Sequence, residues 1–469
     1  MKPTTGILLS DYGCLSRAPS PVNRMMSSFA ADFREGVDIN LGVGYVNENT
    51  IPRSLIQEAL REVLSQPDHY KSPLNYGGPP GSPTLIESIR RYHVTRGVGG
   101  LTDDELSRRR IIIGPNGATS LLEGLAYVLR PGIVVTSDPM YYIYCDFLER
   151  RGFTVVTVPE RLDGLHAEDM EARISRLGDA VSDISFFYIV TVNNPTATII
   201  ANRERTAIVR LVTALSRKLG RTIPLVLDKA YEDMIHDPDV AKPRSGLLDD
   251  EEGGVFEIGT LSKIIAPSLR IGYMIGTDGP FLQAMIQRTS DAGFSGPLIN
   301  QEIASWLLDH ALDAQLRDVT RGYREKAAAV RAWLIAMLGP VMSECRGGQA
   351  SFYYYLTLDG VRTDESSAFF RYLARATGDD ARDGPAAGRL PRVAYIPGEF
   401  CVHPRGDMVE QGRRQLRLSY GYEELGKLEE AIGYMAEAAQ YARKRGEGRG
   451  AAQASTREDA RGAAHARMA

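Results

Sequence analysis

In the stretch Gly259-Thr-Leu-Ser-Lys263-Ile-Ile-Ala-Pro-Ser-Leu-Arg270-Ile-Gly-Tyr273, a lysine stands among hydroxyl residues at the end of one apolar run. An arginine follows on a second apolar run. This arrangement suits a lysine that forms a Schiff base with pyridoxal 5'-phosphate (PLP), with hydroxyls and a guanidinium at hand for the phosphate. Surface lysines beside serines are common, so the segment needs support from elsewhere. PLP chemistry says what that support must be. The pyridine nitrogen needs a carboxylate, the ring face a partner, the phenolic oxygen a donor, and the phosphate a nest of amides.

Each requirement has a candidate. Leu225-Val-Leu-Asp228-Lys-Ala-Tyr231 puts an acid at the end of a buried strand, where it can keep a pyridinium protonated. Its plainer role is to cap the segment that follows. Gly114-Pro-Asn-Gly117-Ala118-Thr119-Ser120 is a strand-to-helix turn whose amides and hydroxyls face an anion at a helix N-terminus; many such turns hold no ligand. Arg270 offers a planar fork for phosphate, against the alternative of a surface ion pair worth little. Asn194, in Asn193-Asn194-Pro195-Thr196, can donate to a phenolic oxygen, although Asn-Pro is also an ordinary turn former. Tyr141, in Asp138-Pro-Met-Tyr141-Tyr142, is positioned to stack on a ring. Arg417, within Gln415-Leu-Arg-Leu-Ser-Tyr420, can hold a substrate carboxylate in a bidentate pair or form a structural salt bridge.

The elements that must position these residues follow a regular order. Buried β-branched runs at Ile111–Ile113, Ile133–Thr136, Phe153–Val158, Ile184–Thr191, Leu225–Asp228 and Val255–Leu261 alternate with helical periods. Helices are expected at Leu121–Leu129, Tyr142–Arg151, Ala167–Leu177 and Arg203–Leu219. The pattern predicts a mostly parallel sheet covered on both faces. A further run, Leu269–Ile275, follows after so short a connection that it predicts one antiparallel strand. Ligands of open α/β sheets bind at the carboxyl ends of strands, where Asp228 and Lys263 fall. Beyond Gly296 the chain turns helical, including Arg317–Leu338. It then changes to a smaller α+β pattern, with strands at Phe352–Leu358, Val393–Ile396 and Gln415–Tyr420 and helices at Ser366–Ala376 and Leu425–Arg445. Gly378–Gly388 reads as an exposed loop. The division expected is an N-terminal arm joining the small domain (1–50), a large PLP-binding domain (51–315), a small α+β domain (316–445) and a disordered tail (446–469).

Bulk properties are compatible with a cytoplasmic enzyme. The chain has 469 residues, is 43% hydrophobic and carries a formal net charge of -4, so no basic field points to nucleic acid or an anionic membrane. No apolar run approaches the roughly 20 residues that span a bilayer, and no signal peptide is read at the N-terminus. Cys14, Cys145, Cys345 and Cys401 lie far apart without CxxC spacing, against a zinc site or a disulfide framework, and no metal is expected.

In order and spacing these motifs resemble the class I/II aminotransferase family of fold type I PLP enzymes, from about Asp38 to about Arg445. The stretch Tyr76 through Gly81 adds to the resemblance. It implies a large domain with a seven-stranded, mostly parallel sheet between helices, plus a smaller α+β domain. It implies Lys263 as the Schiff-base lysine, Asp228 on the pyridine nitrogen, Asn194 and Tyr231 on the phenolic oxygen, and Tyr141 on the ring face. Gly117, Ala118, Thr119, Thr260, Ser262 and Arg270 form the implied phosphate site, and Tyr76 reaches it from the partner subunit of a homodimer. Arg417, the backbone near Gly42 and Asn194 take the substrate. The implied reaction is transamination of an α-amino acid through an external aldimine and a quinonoid, with Lys263 as base. The Ser262–Tyr273 segment looks like the α-aminoadipate/kynurenine aminotransferase branch and the related domain of MocR-type regulators, whose winged-helix domain this chain leaves no room for. Gly117-Ala-Thr119 and Pro139-Met-Tyr-Tyr142 look more like 1-aminocyclopropane-1-carboxylate synthases. The alternative is therefore γ-elimination, γ-replacement or C–C bond formation on S-adenosylmethionine in specialised biosynthesis; a third reading is a silent effector-binding protein that keeps PLP. Two departures stand out: Lys229 where the family often has an acid, and Ala197 where the Asn-Pro-Thr motif usually ends in glycine.

Overall fold

The structure, a computed structural model, describes residues 7–70, 72–385 and 388–446. The tail expected over 446–469 falls, beyond Gly446, outside the described residues. The chain divides into two compact units. One takes in Glu48–Asn194 and Thr198–Arg321 with the described residues up to Ser20; the other takes in Pro21–Asn47, Pro195–Ala197 and the described residues from Gly322.

The first unit is built on a seven-stranded sheet. Its strands are β1 (Arg110–Ile113), β2 (Ile133–Asp138), β3 (Thr154–Pro159), β4 (Ile184–Val190), β5 (Leu225–Asp228), β6 (Val255–Thr260) and β7 (Gly272–Gly276). The spatial order is β1-β7-β6-β5-β4-β2-β3. All pairs are parallel except those of β7, which runs antiparallel to both β1 and β6. Every residue of β2, β5, β6 and β7 is buried, as a sheet covered on both faces requires. Helix α1 (Gly117–Val128) follows β1 and packs on β6 and β7, while α2 (Tyr142–Arg150) follows β2 and packs on β3.

The strand expected over Leu269–Ile275 begins later than its apolar run. Pro267–Leu269 form a 3-10 turn and Arg270 takes a left-handed backbone, φ 57°, so β7 starts only at Gly272. Proline at the head of the turn blocks a ladder there. Helices the strand pattern did not announce precede β1, among them Arg53–Ser65 and Pro83–Arg96.

The second unit holds a four-stranded antiparallel sheet. Its strands β8 (Met342–Gly347), β9 (Tyr353–Leu358), β10 (Ile396–Pro397) and β11 (Gln415–Ser419) run in the order β10-β11-β9-β8. Helix Leu425–Lys444 packs against helix Ala368–Leu373. The N-terminal segment is tied in by Ile39–Asn40, which pair in parallel with Val393–Ala394. Beside them Arg392 Nη2 sits 2.8 Å from Asp38 Oδ2. Burial alone would raise the Asp38 carboxyl, but hydrogen bonds from Arg34 and Arg392 prevail and hold it well below the ordinary range. Residues 378–388 are not wholly an exposed loop: Asp380–Asp383 form a helical turn and buried Asp383 accepts from Gly378 N at 2.9 Å.

Ala197, the departure from glycine, adopts φ 54° while buried. An L residue there costs about 1–2 kcal/mol. One buried methyl returns about 0.8 kcal/mol, and the stiffer unfolded chain returns a similar amount. Ala197→Gly is therefore expected to shift stability by less than about 1 kcal/mol. Ala197→Val, β-branched at a positive φ, is expected to cost more than about 2 kcal/mol. Urea unfolding of both variants checks this; equal midpoints would refute it.

Candidate active site

The carboxyl ends of β4, β5 and β6 meet above a cavity of about 150 Å³ within the first unit. Ten of the residues singled out from the sequence line it: Ala118, Thr119, Tyr141, Asn194, Asp228, Tyr231, Thr260, Ser262, Lys263 and Arg270. Leu122, Tyr188, Val190, Ala230 and Pro267 complete the wall. A larger cleft of about 1020 Å³ opens at the opposite end of the strands. Polar side chains along it are already engaged: Ser185 Oγ donates to Arg130 O at 2.8 Å, Arg221 Nη2 to Ser182 O at 2.9 Å, and Arg110 Nη1 to Asp278 Oδ1 at 3.0 Å. The convergent chemistry lies in the smaller cavity.

Asp228 is the last residue of β5, and the pleat that buries Val226 on one face buries Asp228 on the same one. Each carboxylate oxygen receives one neutral donor. Tyr188 donates its hydroxyl to Oδ2 at 2.9 Å, and Ala230 N donates to Oδ1 at 3.0 Å. Burial pushes the carboxyl upward, and these two bonds recover only part of that shift. A cationic N–H beside it would supply what neutral donors cannot.

At the other end, α1 starts at Gly117 with φ 67°. No side chain caps this helix, because Asn116 turns its Oδ1 to accept from Arg270 Nε at 2.7 Å. Arg270 Nη2 also donates to Asn116 O at 3.0 Å, so the left-handed backbone of Arg270 and the helix start brace one another. A Cβ on Gly272 would lie 2.1 Å from Ala118 N, which makes glycine obligatory where β7 passes the helix start. Thr260 Oγ1 donates to Ile271 O at 2.7 Å and accepts from Ser262 N at 3.2 Å. Thr260 Oγ1 also lies 3.0 Å from Ser262 Oγ, which holds the two hydroxyls together at the end of β6. Helix amides, two hydroxyls and a guanidinium make an anion site.

Lys263 leaves β6 between these two ends, and its Nζ lies 5.5 Å from the centroid of the Tyr231 ring. Asn193, beside Asn194, donates to Pro139 O at 3.0 Å and so joins the loop after β4 to the loop carrying Tyr141. The donor set fits PLP: an anion cradle at one end, a buried carboxylate at the other and a lysine between.

The remaining candidates lie elsewhere. Gly117 does not line the cavity but abuts the Arg270 guanidinium, whose Nη2 would be 3.0 Å from an added Cβ. Tyr76 is 80% exposed, packs on Phe294 with ring centroids 5.6 Å apart, and does not line the cavity. Arg417 and Gly42 belong to the second unit. There Arg417 Nη2 donates to Gly42 O, and the guanidinium lies 4.5 Å from the centroid of the Tyr353 ring. Tyr188 was not foreseen. A tyrosine in a fully apolar strand reads as core, and only its place diagonal to Asp228 across the β4–β5 pair gives it away.

The sequence pattern of aminotransferase class I and II matches residues 37–378. The chain belongs to that family, and its enzymes are PLP-dependent. An uncharacterized HTH-type transcriptional regulator, YisV of Bacillus subtilis, is 24% identical over 86% of this chain and 73% of its own length. Aromatic-amino-acid aminotransferase 1 of Thermococcus litoralis is 23% identical over 85% of this chain and 87% of its own. The crystal structure of a multiple substrate aminotransferase from Thermococcus profundus superposes with a TM-score of 0.77 at 20% identity, covering 93% of this chain and 98% of that one. The fold is therefore that of the fold type I PLP enzymes. Among the described residues no helix is long and apolar enough to cross a membrane.

Proposed function

We propose that this chain transaminates an α-amino acid with PLP held in the cavity of the first unit. The observation that carries the reading is the convergence of Lys263, Asp228, Arg270 and the uncapped start of α1 on one cavity. Arg270, Thr260, Ser262 and the amides of Ala118 and Thr119 hold the phosphate. Asp228 keeps the ring nitrogen protonated, Asn194 and Tyr231 bond the phenolic oxygen, and Tyr141 covers the ring. When bound, PLP supplies an electron-withdrawing ring that makes the α-proton of an amino acid removable. Lys263 anchors the cofactor, then takes that proton as a neutral amine. Family resemblance supports Arg417, steadied by Gly42 and Tyr353, as the residue that takes the substrate carboxylate. It also supports a homodimer in which Tyr76 serves the partner's phosphate, in keeping with its exposure.

The test is to incubate the PLP-loaded protein with a panel of α-amino acids and 2-oxoglutarate, then assay for keto acids. Keto acid formed in step with glutamate is the expected result. Release of methylthioadenosine from S-adenosylmethionine without keto acid would overturn transamination in favour of the S-adenosylmethionine reaction. Turnover of neither class would leave a binding protein, and the proposal would fall.

A further inference from the structure

The proposed site assigns Asp228 to the ring nitrogen but leaves open what sets the carboxylate itself. The shortest bond to it comes from Tyr188, which is wholly buried and shares the cavity wall. We infer that Tyr188 is a positioning residue, whose hydroxyl fixes the orientation and charge of the Asp228 carboxylate and so sets how firmly the site grips a protonated ring nitrogen. The inference rests on the reading of the cavity as a PLP site.

Three observations carry it. First, the Tyr188 ring cannot swing away, because Tyr144 packs edge-on against it with centroids 4.7 Å apart. Second, the Asp228 oxygens are divided between one donor each, so the loss of Tyr188 leaves Oδ2 without its hydroxyl. Third, the other groups around the carboxylate do not replace it. Glu232 is negative and its charge disfavours a second anion nearby. Among the described residues the Tyr144 hydroxyl finds no hydrogen-bond partner, and Cys145 and Tyr141 bear electrostatically on Tyr188. From the cavity side the charged residues are Lys263 and Arg270, and the second is bonded to Asn116 and Pro267. A buried carboxylate that loses a donor takes up a proton more readily, and a neutral carboxyl grips a cation poorly.

The test compares two ligands on the apoprotein: PLP and its 1-deaza analogue, in which carbon replaces the ring nitrogen. Dissociation constants are read from protein fluorescence for the wild type, Tyr188→Phe and Tyr144→Phe. Tyr188→Phe is expected to weaken PLP roughly ten- to hundredfold and to leave the deaza analogue within about twofold. Tyr144→Phe, which removes an equally buried hydroxyl that bonds nothing, is expected to change neither. Equal weakening of both ligands by Tyr188→Phe would mean a merely structural role and overturn the inference, as would no weakening at all. Should Tyr188→Phe fail to fold, a fluorinated tyrosine at 188 keeps the shape and donates more strongly. It is then expected to tighten PLP alone, and unchanged PLP affinity would overturn the inference. Wild-type protein that binds neither ligand would overturn both this inference and the reading beneath it.

Discussion

Lys263→Ala is expected to keep its fold and still bind PLP, yet to lose about 10⁴-fold in the rate of keto acid formation. Two contributions are removed together. A positioned general base is worth about 10²–10⁴-fold, and covalent anchoring adds to that. The fold survives because Lys263 follows β6 in a turn whose hydrogen bonds are made by backbone, including Ile265 N to Leu261 O at 3.0 Å. Thr260 and Ser262 hold the end of the strand without the lysine. The anion cradle also stays whole, so PLP remains bound through its phosphate. A small primary amine added to the buffer is expected to restore part of the rate, because the truncated side chain leaves room for it. The measurement is single-turnover keto acid release with and without added amine. A variant within tenfold of wild type would remove Lys263 from the chemistry.

How much of this was legible beforehand depended on where each residue sits. The placing of Asp228, Thr260 and Lys263 at strand ends is legible because they end or follow short β-branched runs, and the carboxyl ends of such strands are where open sheets bind ligands. The parallel sheet and its antiparallel β7 followed from the same runs. Arg270 reads as part of a strand because its neighbours Leu269 and Ile271 are apolar; its left-handed backbone is braced by contact with Asn116, a residue 154 positions away. β8 gives no strand signal in the sequence because it is an edge strand of Met342-Ser-Glu-Cys-Arg-Gly, mostly part-exposed and without a buried β-branched run. Tyr188 gives no site signal for the opposite reason, since a buried strand hides a polar tip among apolar neighbours. Sequence shows which residues end a strand; it does not show which side chain on the next strand leans toward them.

Lys229→Met is expected to destabilise the first unit by about 3–5 kcal/mol at pH 7, lowering its melting temperature by about 10 °C. The departure from the family's acid has a local cause. Lys229 follows Asp228 and is buried, with Nζ 2.9 Å from Glu257 Oε2 on β6 and 3.5 Å from Glu232 Oε2. Glu232 is also paired with buried Arg205, and Glu257 Oε1 accepts from Ser245 Oγ and Gly246 N at 2.8 Å each. Two buried carboxylates are thus balanced by two buried cations. Burial would lower the Lys229 amine, but the charges of Glu257 and Glu232 prevail and raise it, so its contribution is complete at pH 7 and is lost only as pH rises through the raised folded value. Glu232 is pushed up by burial yet held below its ordinary value by Arg205 and Lys229, so its contribution is present above the ordinary glutamate range and is lost only as pH falls through the lowered folded value. Methionine of similar length leaves two carboxylates to one arginine. A stranded buried carboxylate takes up a proton above its usual pKa, so the deficit against wild type is expected to shrink between pH 7 and pH 5. Lys229→Glu, which brings an acid to the position, adds a third carboxylate and is expected to cost more than Lys229→Met. Adding Glu257→Gln to Lys229→Met removes the stranded charge and is expected to recover about half the loss. Urea unfolding of the three variants at both pH values measures this. A deficit under about 1 kcal/mol, or one that grows toward pH 5, would show that the cluster does not hold the strand ends beneath Asp228 in this way.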